Sequence, residues 1–365
     1  MSLAVGIVGL PNSGKSTLFN ALTGGRALVG DYPFTTIDPN TGVVPVPDGR
    51  LQRLAALFRP PRVIPATVTF TDIAGLVRGA SRNEGLGNQF LGHVRTTDAI
   101  ALVVRAFTGA VAHVEGSVDP VRDMDILELE LALADLATVD RRLERVEERA
   151  RRPSEVTAAQ VAGLRRIRDA LDDGRPARAV ALAPEEGSGL QALQLLTAKP
   201  ALYVANVDEA VLGADPGQGP AAAVAGRAAQ AGAGFVTVSA KLEAELAELE
   251  VAEAGEYLRS LGVAEAGLGR LSRAAYAALG LLTFFTAGEK EVRAWTLPRG
   301  GTAVEAAGAI HTDFARGFIR AEVCDAEDLL TSGGYAGVRE RGRRRLEGRD
   351  YEVRDGDVVH FLFNV

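Results

Sequence analysis

Residues Gly9-Leu10-Pro11-Asn12-Ser13-Gly14-Lys15-Ser16-Thr17 spell G-x-x-x-x-G-K-S between an apolar run at 3–8 and the helix-forming Leu18-Phe19-Asn20-Ala21-Leu22. A strand, a tight loop and a helix in that order constrain the fold more than any other stretch of this chain. The two glycines let the backbone curl around an anion without a Cβ clash, so successive N–H groups from Asn12 to Thr17 point inward. Lys15 is placed to reach β- and γ-phosphate oxygens, and the Ser16 hydroxyl is placed to meet Mg²⁺. The helix starting near Lys15 turns its positive dipole end toward the same anion. A glycine-rich turn with no ligand is the bland alternative, and two further motifs downstream weigh against it. The pattern predicts a nucleoside triphosphate site.

At 365 residues the chain exceeds one ordinary core, and two or three domains are expected. A near-zero mean hydropathy and the lack of an 18-residue apolar run argue against a membrane span. The chain enters a strand almost at once, without a basic leader, which predicts a cytoplasmic location. A single cysteine, Cys324, leaves no internal disulfide and suits a reducing compartment, where its expected role is packing. The net charge of −7 speaks against indiscriminate nucleic-acid binding, although 339–349 is locally basic.

Apolar, β-rich runs recur at 3–8, 66–71, 99–106, 201–205 and 235–239, separated by helical patterns and glycine-rich loops. That alternation predicts an α/β domain with a mostly parallel sheet covered on both faces. Nearly a hundred residues separate the third and fourth of these runs, too many for a simple crossover. Within them, 125–152 and 157–172 carry apolar residues at helical spacing among dense Glu and Arg, broken at Pro153. They predict an antiparallel helical hairpin, or short coiled coil, inserted into the nucleotide domain. Extra packing helices on the core are the alternative. From 281 onward the character turns to β, at 281–286, 291–297, 318–323 and 358–363, with a helix over 302–314. A small α+β domain is expected there. The division is thus 1–124 with 199–280 for the nucleotide domain, 125–198 for the hairpin and 281–365 for the last domain.

Thr71-Asp72-Ile73-Ala74-Gly75 ends an apolar strand, and D-x-x-G in that place predicts Asp72 near Mg²⁺ and the Gly75 N–H on the γ-phosphate. Between the first helix and the next strand, Asp31-Tyr32-Pro33-Phe34-Thr35-Thr36 supplies a threonine hydroxyl for the Mg²⁺ shell, with Thr36 preferred. The metal set is therefore Ser16, Thr36 and Asp72. Asn206-Val207-Asp208-Glu209 follows the strand at 201–205, where guanine-specific enzymes carry N-K-x-D. Glu209 is one methylene longer than that aspartate and cannot hold the same bidentate pair on guanine N1 and N2. Asn206 stays able to meet an adenine N7/N6 edge, and Val207 can present its backbone to the base. Ser239-Ala240-Lys241 fits the last purine-side loop.

Leu76 stands where many such enzymes place a water-orienting glutamine, and leucine cannot polarise water. His113, in a small-residue loop, is the candidate to act beside Lys15 in catalysis. Asn12 suggests a K⁺ contact that would supply positive charge in place of an arginine, with Arg78 or Arg82 as weaker candidates.

These runs resemble the YchF/Obg-like ATPase family of P-loop proteins. The resemblance is carried by 6–22, by Asp72 to Gly87 with Asn88-Gln89-Phe90, and by His113-Val114-Glu115-Gly116-Ser117-Val118-Asp119-Pro120. It continues through 206–209, 284–295, 310–323 and Gly356-Asp357-Val358. It implies a nucleotide domain, an inserted helical hairpin and a C-terminal TGS domain of ubiquitin-like β-grasp fold. It also implies ATP preference carried by Asn206, Val207 and Glu209, and Mg²⁺ ligation by Ser16 and Thr36. ATP contacts fall on 12–17, and the implied partner is the ribosome or its RNA. The expected protein is a monomeric, cytoplasmic, Mg²⁺-dependent ATPase switch. The rivals are an ATP-sensing binder with incidental hydrolysis and a guanine-specific GTPase.

Overall fold

The computed structural model describes residues 3–24, 41–73, 76, 79, 86–109, 113–149, 157–212 and 219–364. In chain order the strands among them are β1 (Ala4–Gly9), β2 (Thr41–Pro45), β3 (Val63–Ile64), β4 (Thr67–Asp72), β5 (Ala99–Ala106) and β6 (Ala201–Val207). They continue with β7 (Gly234–Val238), β8 (Leu281–Ala287), β9 (Val292–Pro298), β10 (Phe318–Asp325), β11 (Arg345–Glu347) and β12 (Asp357–Phe363). Contacts group the chain into two compact units: Met1–Gly42 with Thr69–Ala275, and Val43–Val68 with Tyr276–Val365.

The first unit is built on a sheet of order β2-β4-β1-β5-β6-β7. β1 runs parallel to β4 and to β5, β5 to β6, and β6 to β7. β5 and β6 are buried along their whole length, as an apolar run covered by helices on both faces must be. The helix Pro120–Arg149 packs on β5, and Pro220–Gln230 packs on β6 and β7. Between the layers sit Val8, Leu102, Tyr203, Val224 and Leu242. The parallel order sends every phosphate-side loop to the same carboxyl edge of the sheet, where ligands of such folds gather.

The long helix starts at Pro120, ahead of the expected 125. Asp119 caps it by accepting the N–H groups of Val121 and Arg122, both at 3.1 Å, and Pro120 fits the first turn because its missing N–H is not needed there. Its companion Ala158–Asp172 opens with a capping box, in which the Thr157 hydroxyl and the Gln160 side chain serve each other's backbone N–H. The two pack through Val139 and Leu143 against Leu164, Ile167 and Leu171, and Arg168 donates to Asp140 at 2.8 Å. This hairpin falls inside the first compact unit.

In the second unit the sheet runs β11-β10-β12-β8-β9-β3. β12 and β8 are parallel, while β8/β9, β10/β12 and β10/β11 are antiparallel. The helix Ala303–Ile310 lays Ala303, Ala306 and Ala307 on a core containing Leu282, Phe284, Leu297 and Phe361. The single helix expected over 302–314 breaks in two, because His311 is extended at φ −160° and ψ 141°. His311 Nδ1 then accepts the Asp313 N–H at 3.2 Å to start Thr312–Arg316.

Sequence reading left 43–68 within the span 1–124, and contacts group this stretch with the C-terminal unit instead, although its two ends lie in β2 and β4. The helix Gly49–Phe58, capped by Asp48, buries Leu51 and Leu54 and packs on β8 and β9. β3 extends the sheet parallel to β9. Arg50 donates to Asp48 and, at 2.7 Å, to Asp355, which itself accepts the Thr283 N–H at 2.9 Å. The amphipathic period of 51–58 announces a buried face and says nothing of what covers it.

Candidate functional site

The phosphate loop takes the shape its sequence requires. Asn12 has φ 63° and Gly14 φ 86°, and the Gly14 O accepts the Leu18 N–H at 2.9 Å as the helix Lys15–Gly24 begins. A Cβ on Gly14 would lie 2.0 Å from Asn206 Nδ2, so the position excludes any side chain. Lys15, 7% exposed, forms a salt bridge with Asp72 at the end of β4. The pair brings together the two residues expected to serve phosphate and metal. Ser13 Oγ is buried without a hydrogen-bond partner, while Ser16 and Thr17 are exposed at the helix start. Ser16 and Asp72 offer oxygen donors, which suit a hard divalent ion such as Mg²⁺.

Asn206, 3% exposed at the end of β6, ties the loops together. Its Nδ2 donates to the Ser13 carbonyl at 2.9 Å, and its Oδ1 accepts the Ala240 N–H at 2.9 Å. The side chain expected at an adenine edge is thus engaged as a brace between the phosphate loop and the Ser239–Ala240 turn. Val207 and Glu209 come next, and Glu209 Oε1 accepts the Tyr257 hydroxyl at 3.0 Å. Asp208 accepts both N–H and hydroxyl of Thr108, at 2.9 and 2.8 Å.

These groups line a cavity of about 950 Å³, bounded by Asn12, Gly14 and Thr17 on one side and by Asn206–Ala210 and Ser239–Lys241 on the other. Phe107 and Thr108 complete it. Sequence reasoning missed both, though they directly follow the buried strand β5, the place where a parallel sheet delivers its loops. Arg105 lies over the Phe107 ring at 4.4 Å and donates to its carbonyl at 3.4 Å, which fixes that wall.

His113 is buried and stands in a network of its own. Its Nδ1 accepts the Glu115 N–H at 3.1 Å, which leaves Nε2 as the protonated nitrogen facing Asp123 Oδ2 at 2.7 Å. Arg122 approaches Nδ1 at 3.4 Å. To act on a phosphate, the imidazole must give up these bonds. Leu76 is 0% exposed, with its N–H on the Gly9 carbonyl at 3.0 Å, so it is a core residue. Thr36, Gly75, Arg78 and Arg82 lie outside the described residues. Among the described residues no helix is long and apolar enough to cross a membrane.

Comparison with known proteins finds family models and full-length relatives. A family model described as "50S ribosome-binding GTPase" matches residues 4–157. The YchF-GTPase C-terminal model, described as "Protein of unknown function (DUF933)", matches 281–364. The ribosome-binding ATPase YchF of Bacillus subtilis (strain 168) is 50% identical, and that of Escherichia coli O157:H7 49%; each alignment covers 100% of both chains. A solved structure, the Schizosaccharomyces pombe YchF GTPase, superposes with a TM-score of 0.87 at 35% identity, covering 99% of this chain and 98% of that one.

Proposed function

The chain belongs to the YchF family, with a relative 50% identical along its whole length, and from that premise we propose that it is a ribosome-binding ATPase. On this reading it binds ATP with Mg²⁺, hydrolyses it to ADP, and uses the nucleotide state to govern contact with the ribosome. The observation that carries the reading is the meeting of Lys15, Asp72 and the braced phosphate loop beside the cavity that Glu209 helps to line.

Lys15 and the loop N–H groups stabilise charge on the transferring phosphoryl group. Lys15, now paired with Asp72, would turn to the phosphate, and Asp72 would be left as an acceptor for the divalent ion. Ser16, Asp72 and Thr36 would hold Mg²⁺, which neutralises charge on the phosphate oxygens when bound. Glu209 is acceptor-only, and with Tyr257 on Oε1 it has an oxygen for the 6-amino group of adenine, whereas a 6-oxo group would face like charge. Gly75 would give its N–H to the γ-phosphate, and Asn12 would hold K⁺, which supplies positive charge there when bound. His113, freed from Asp123, orients the attacking water in place of the buried Leu76.

On the TGS-type C-terminal domain, the exposed Arg341, Arg343 and Arg349 are the groups offered to ribosomal RNA; Arg345 is drawn onto Asp357 at 3.1 Å. Work in the cytoplasm as a monomer completes the reading. The division of labour proposed is hydrolysis in the nucleotide-binding unit, partner sensing in the hairpin that begins at Pro120, and ribosome contact in the C-terminal unit, which takes 43–68 as well as the expected 281–365.

Titration calorimetry with non-hydrolysable ATP and GTP analogues, with Mg²⁺ and K⁺ present, tests it. Tighter ATP binding by about tenfold or more supports the base reading. Equal or GTP-favouring affinity sinks it and returns the chain to guanine chemistry. The buried Leu76 favours one second reading, an ATP-sensing binder with incidental hydrolysis. Turnover that stays flat when ribosomes are added would select it. An unchanged rate on replacing K⁺ by Na⁺ removes the Asn12 proposal alone.

A further inference from the structure

We propose that a cavity at the amino edge of the first sheet binds a small organic phosphate, whose phosphate group is held by Lys199 and Arg178. The cavity measures about 360 Å³. It lies where β5 and β6 begin, at Ile100 and Ala201, whereas the nucleotide cavity lies where they end, at Phe107 and Asn206. It is a separate place, and the proposal does not depend on the ATPase reading.

The floor is apolar, with Ile100, Leu102, Leu131, Leu196 and Ala201 all buried. On one wall the Tyr203 hydroxyl donates to Glu128, which also accepts Arg227 at 2.7 Å; Arg227 reaches Asp125 at 2.7 Å as well. Those charges satisfy one another. Burial and the Glu128 bond hold the Tyr203 hydroxyl above its ordinary range, so it stays a donor.

A second wall is the segment that returns from the hairpin. Gly174, at φ 74°, turns the chain out of the helix Ala158–Asp172, and the Arg175 N–H closes on the Ala170 carbonyl at 2.7 Å. The Ala177 N–H donates to Thr197 Oγ1 at 3.1 Å, and that hydroxyl donates to the buried Asp135 at 2.7 Å. Arg178 is thereby set at the cavity on fixed backbone, and it donates to the Thr197 carbonyl at 3.2 Å.

Lys199 donates to the Arg95 carbonyl at 2.9 Å and to the Thr97 carbonyl. Among the described residues, neither Lys199 nor Arg178 has a carboxylate within ion-pair distance. An ammonium has three donors and a guanidinium five, so both keep donors to give. Both side chains are half-buried, and burial pushes the Lys199 ammonium below its ordinary value. Cations withdrawn from water call for a counter-ion. Two of them match a phosphate monoester, which carries a charge of about −2. The guanidinium fork takes two of its oxygens and the ammonium meets a third as a point charge. The volume is at the small end of the range for ligand sites, about 300–1,000 Å³, so the organic part is a single ring or a short chain on the apolar floor.

The probe is phenyl phosphate, titrated calorimetrically into the full chain with Mg²⁺ and an excess of a non-hydrolysable ATP analogue. We expect a dissociation constant of about 1 mM or below, with benzyl alcohol and inorganic phosphate each at least about tenfold weaker, since each lacks one half of the match. Arg178→Glu should weaken phenyl phosphate at least about tenfold by setting a like charge against it. Ala179→Trp, on the exposed rim, should block entry. Amide exchange of the peptide containing 174–179 should slow when the probe is added to wild type and not when it is added to Arg178→Glu. Absence of binding, equal binding of either half-probe, or binding that Arg178→Glu leaves unchanged overturns the proposal. If Ala179→Trp fails to fold, Arg178→Glu and the exchange data decide. If the ATP analogue does not bind, the ATPase reading fails, and Arg178→Glu still decides where phenyl phosphate sits.

Discussion

Asn206 is the residue through which the nucleotide site becomes one object, since its amide joins the phosphate loop to the turn after β7. Asn206→Ala leaves the Ser13 carbonyl and the Ala240 N–H without a buried partner, and we expect a loss of about 1–3 kcal/mol of stability. Chemical denaturation checks this; a variant as stable as wild type would show the brace to be dispensable. Gly14→Ala meets both a positive φ and a 2.0 Å clash, so its loop must shift. ATP-analogue affinity should drop by at least about a hundredfold, since contacts aimed at the phosphates lose their alignment. Burial pushes the Cys324 thiol up from 9.0 to about 12. The folded state thus holds that proton more tightly than the unfolded chain. The associated stability is intact below a pH of about 9 and is lost as pH rises toward about 12. Iodoacetamide at about pH 8 should leave the native protein unmodified and alkylate it once after denaturation. Rapid labelling of the native protein would contradict that burial.

At the level of elements, the hairpin helix Pro120–Arg149 carries an acidic side chain where the turn before β6 needs an acceptor. Asp135 is fully buried, and desolvation raises its carboxyl above the usual range, while the Leu196 and Thr197 N–H groups and the Thr197 hydroxyl pull it back down. Asp135→Asn places an N–H₂ group where donors already converge. We expect a loss of about 1–3 kcal/mol and faster amide exchange at Leu196 and Thr197. Unchanged exchange there would show that the segment is held by packing alone. The helix Gly49–Phe58 is a second case, because Leu54 is 0% exposed in the C-terminal unit. Leu54→Ala should destabilise that unit by about 2–5 kcal/mol, read as an early unfolding step in calorimetry.

For the whole molecule, the C-terminal unit is assembled from two distant stretches of chain, Val43–Val68 and Tyr276–Val365. A fragment of residues 281–365 alone loses β3, the Leu51 and Leu54 face, the Arg50–Asp355 pair and the bidentate Arg53–Glu327 pair at 2.6 and 2.8 Å. We expect it to give a non-cooperative melt, and a fragment in which 43–68 is linked to 276–365 to regain a sharp transition. A cooperative melt of the short fragment would show that the segment is an accessory. The match of the C-terminal family model to 281–364 covers the second stretch only.

Lys15, Asp72 and the mostly parallel sheet around them were legible in the chain, because G-x-x-x-x-G-K-S, D-x-x-G and the apolar runs are local patterns whose physics is local. The hairpin was legible for the same reason, through its helical spacing of apolar residues and its break at Pro153. Glu209 told of a departed base reader, although Tyr257, forty-eight residues on, is what holds its carboxylate. Other features depended on partners far away in sequence. His113 reads as a mobile loop histidine until Asp123 and Glu115 close on it, and Asn206 reads as a base contact until Ser13 and Ala240 take up its amide. The placement of 43–68 and the cavity beside Lys199 and Arg178 likewise exist only once separate stretches meet. Sequence by itself determined which groups could bind phosphate, because that chemistry is carried by residue type and backbone spacing. Only the tertiary structure decided which of those groups already have partners, because burial makes each polar side chain answer to whatever donor or acceptor the fold brings to it.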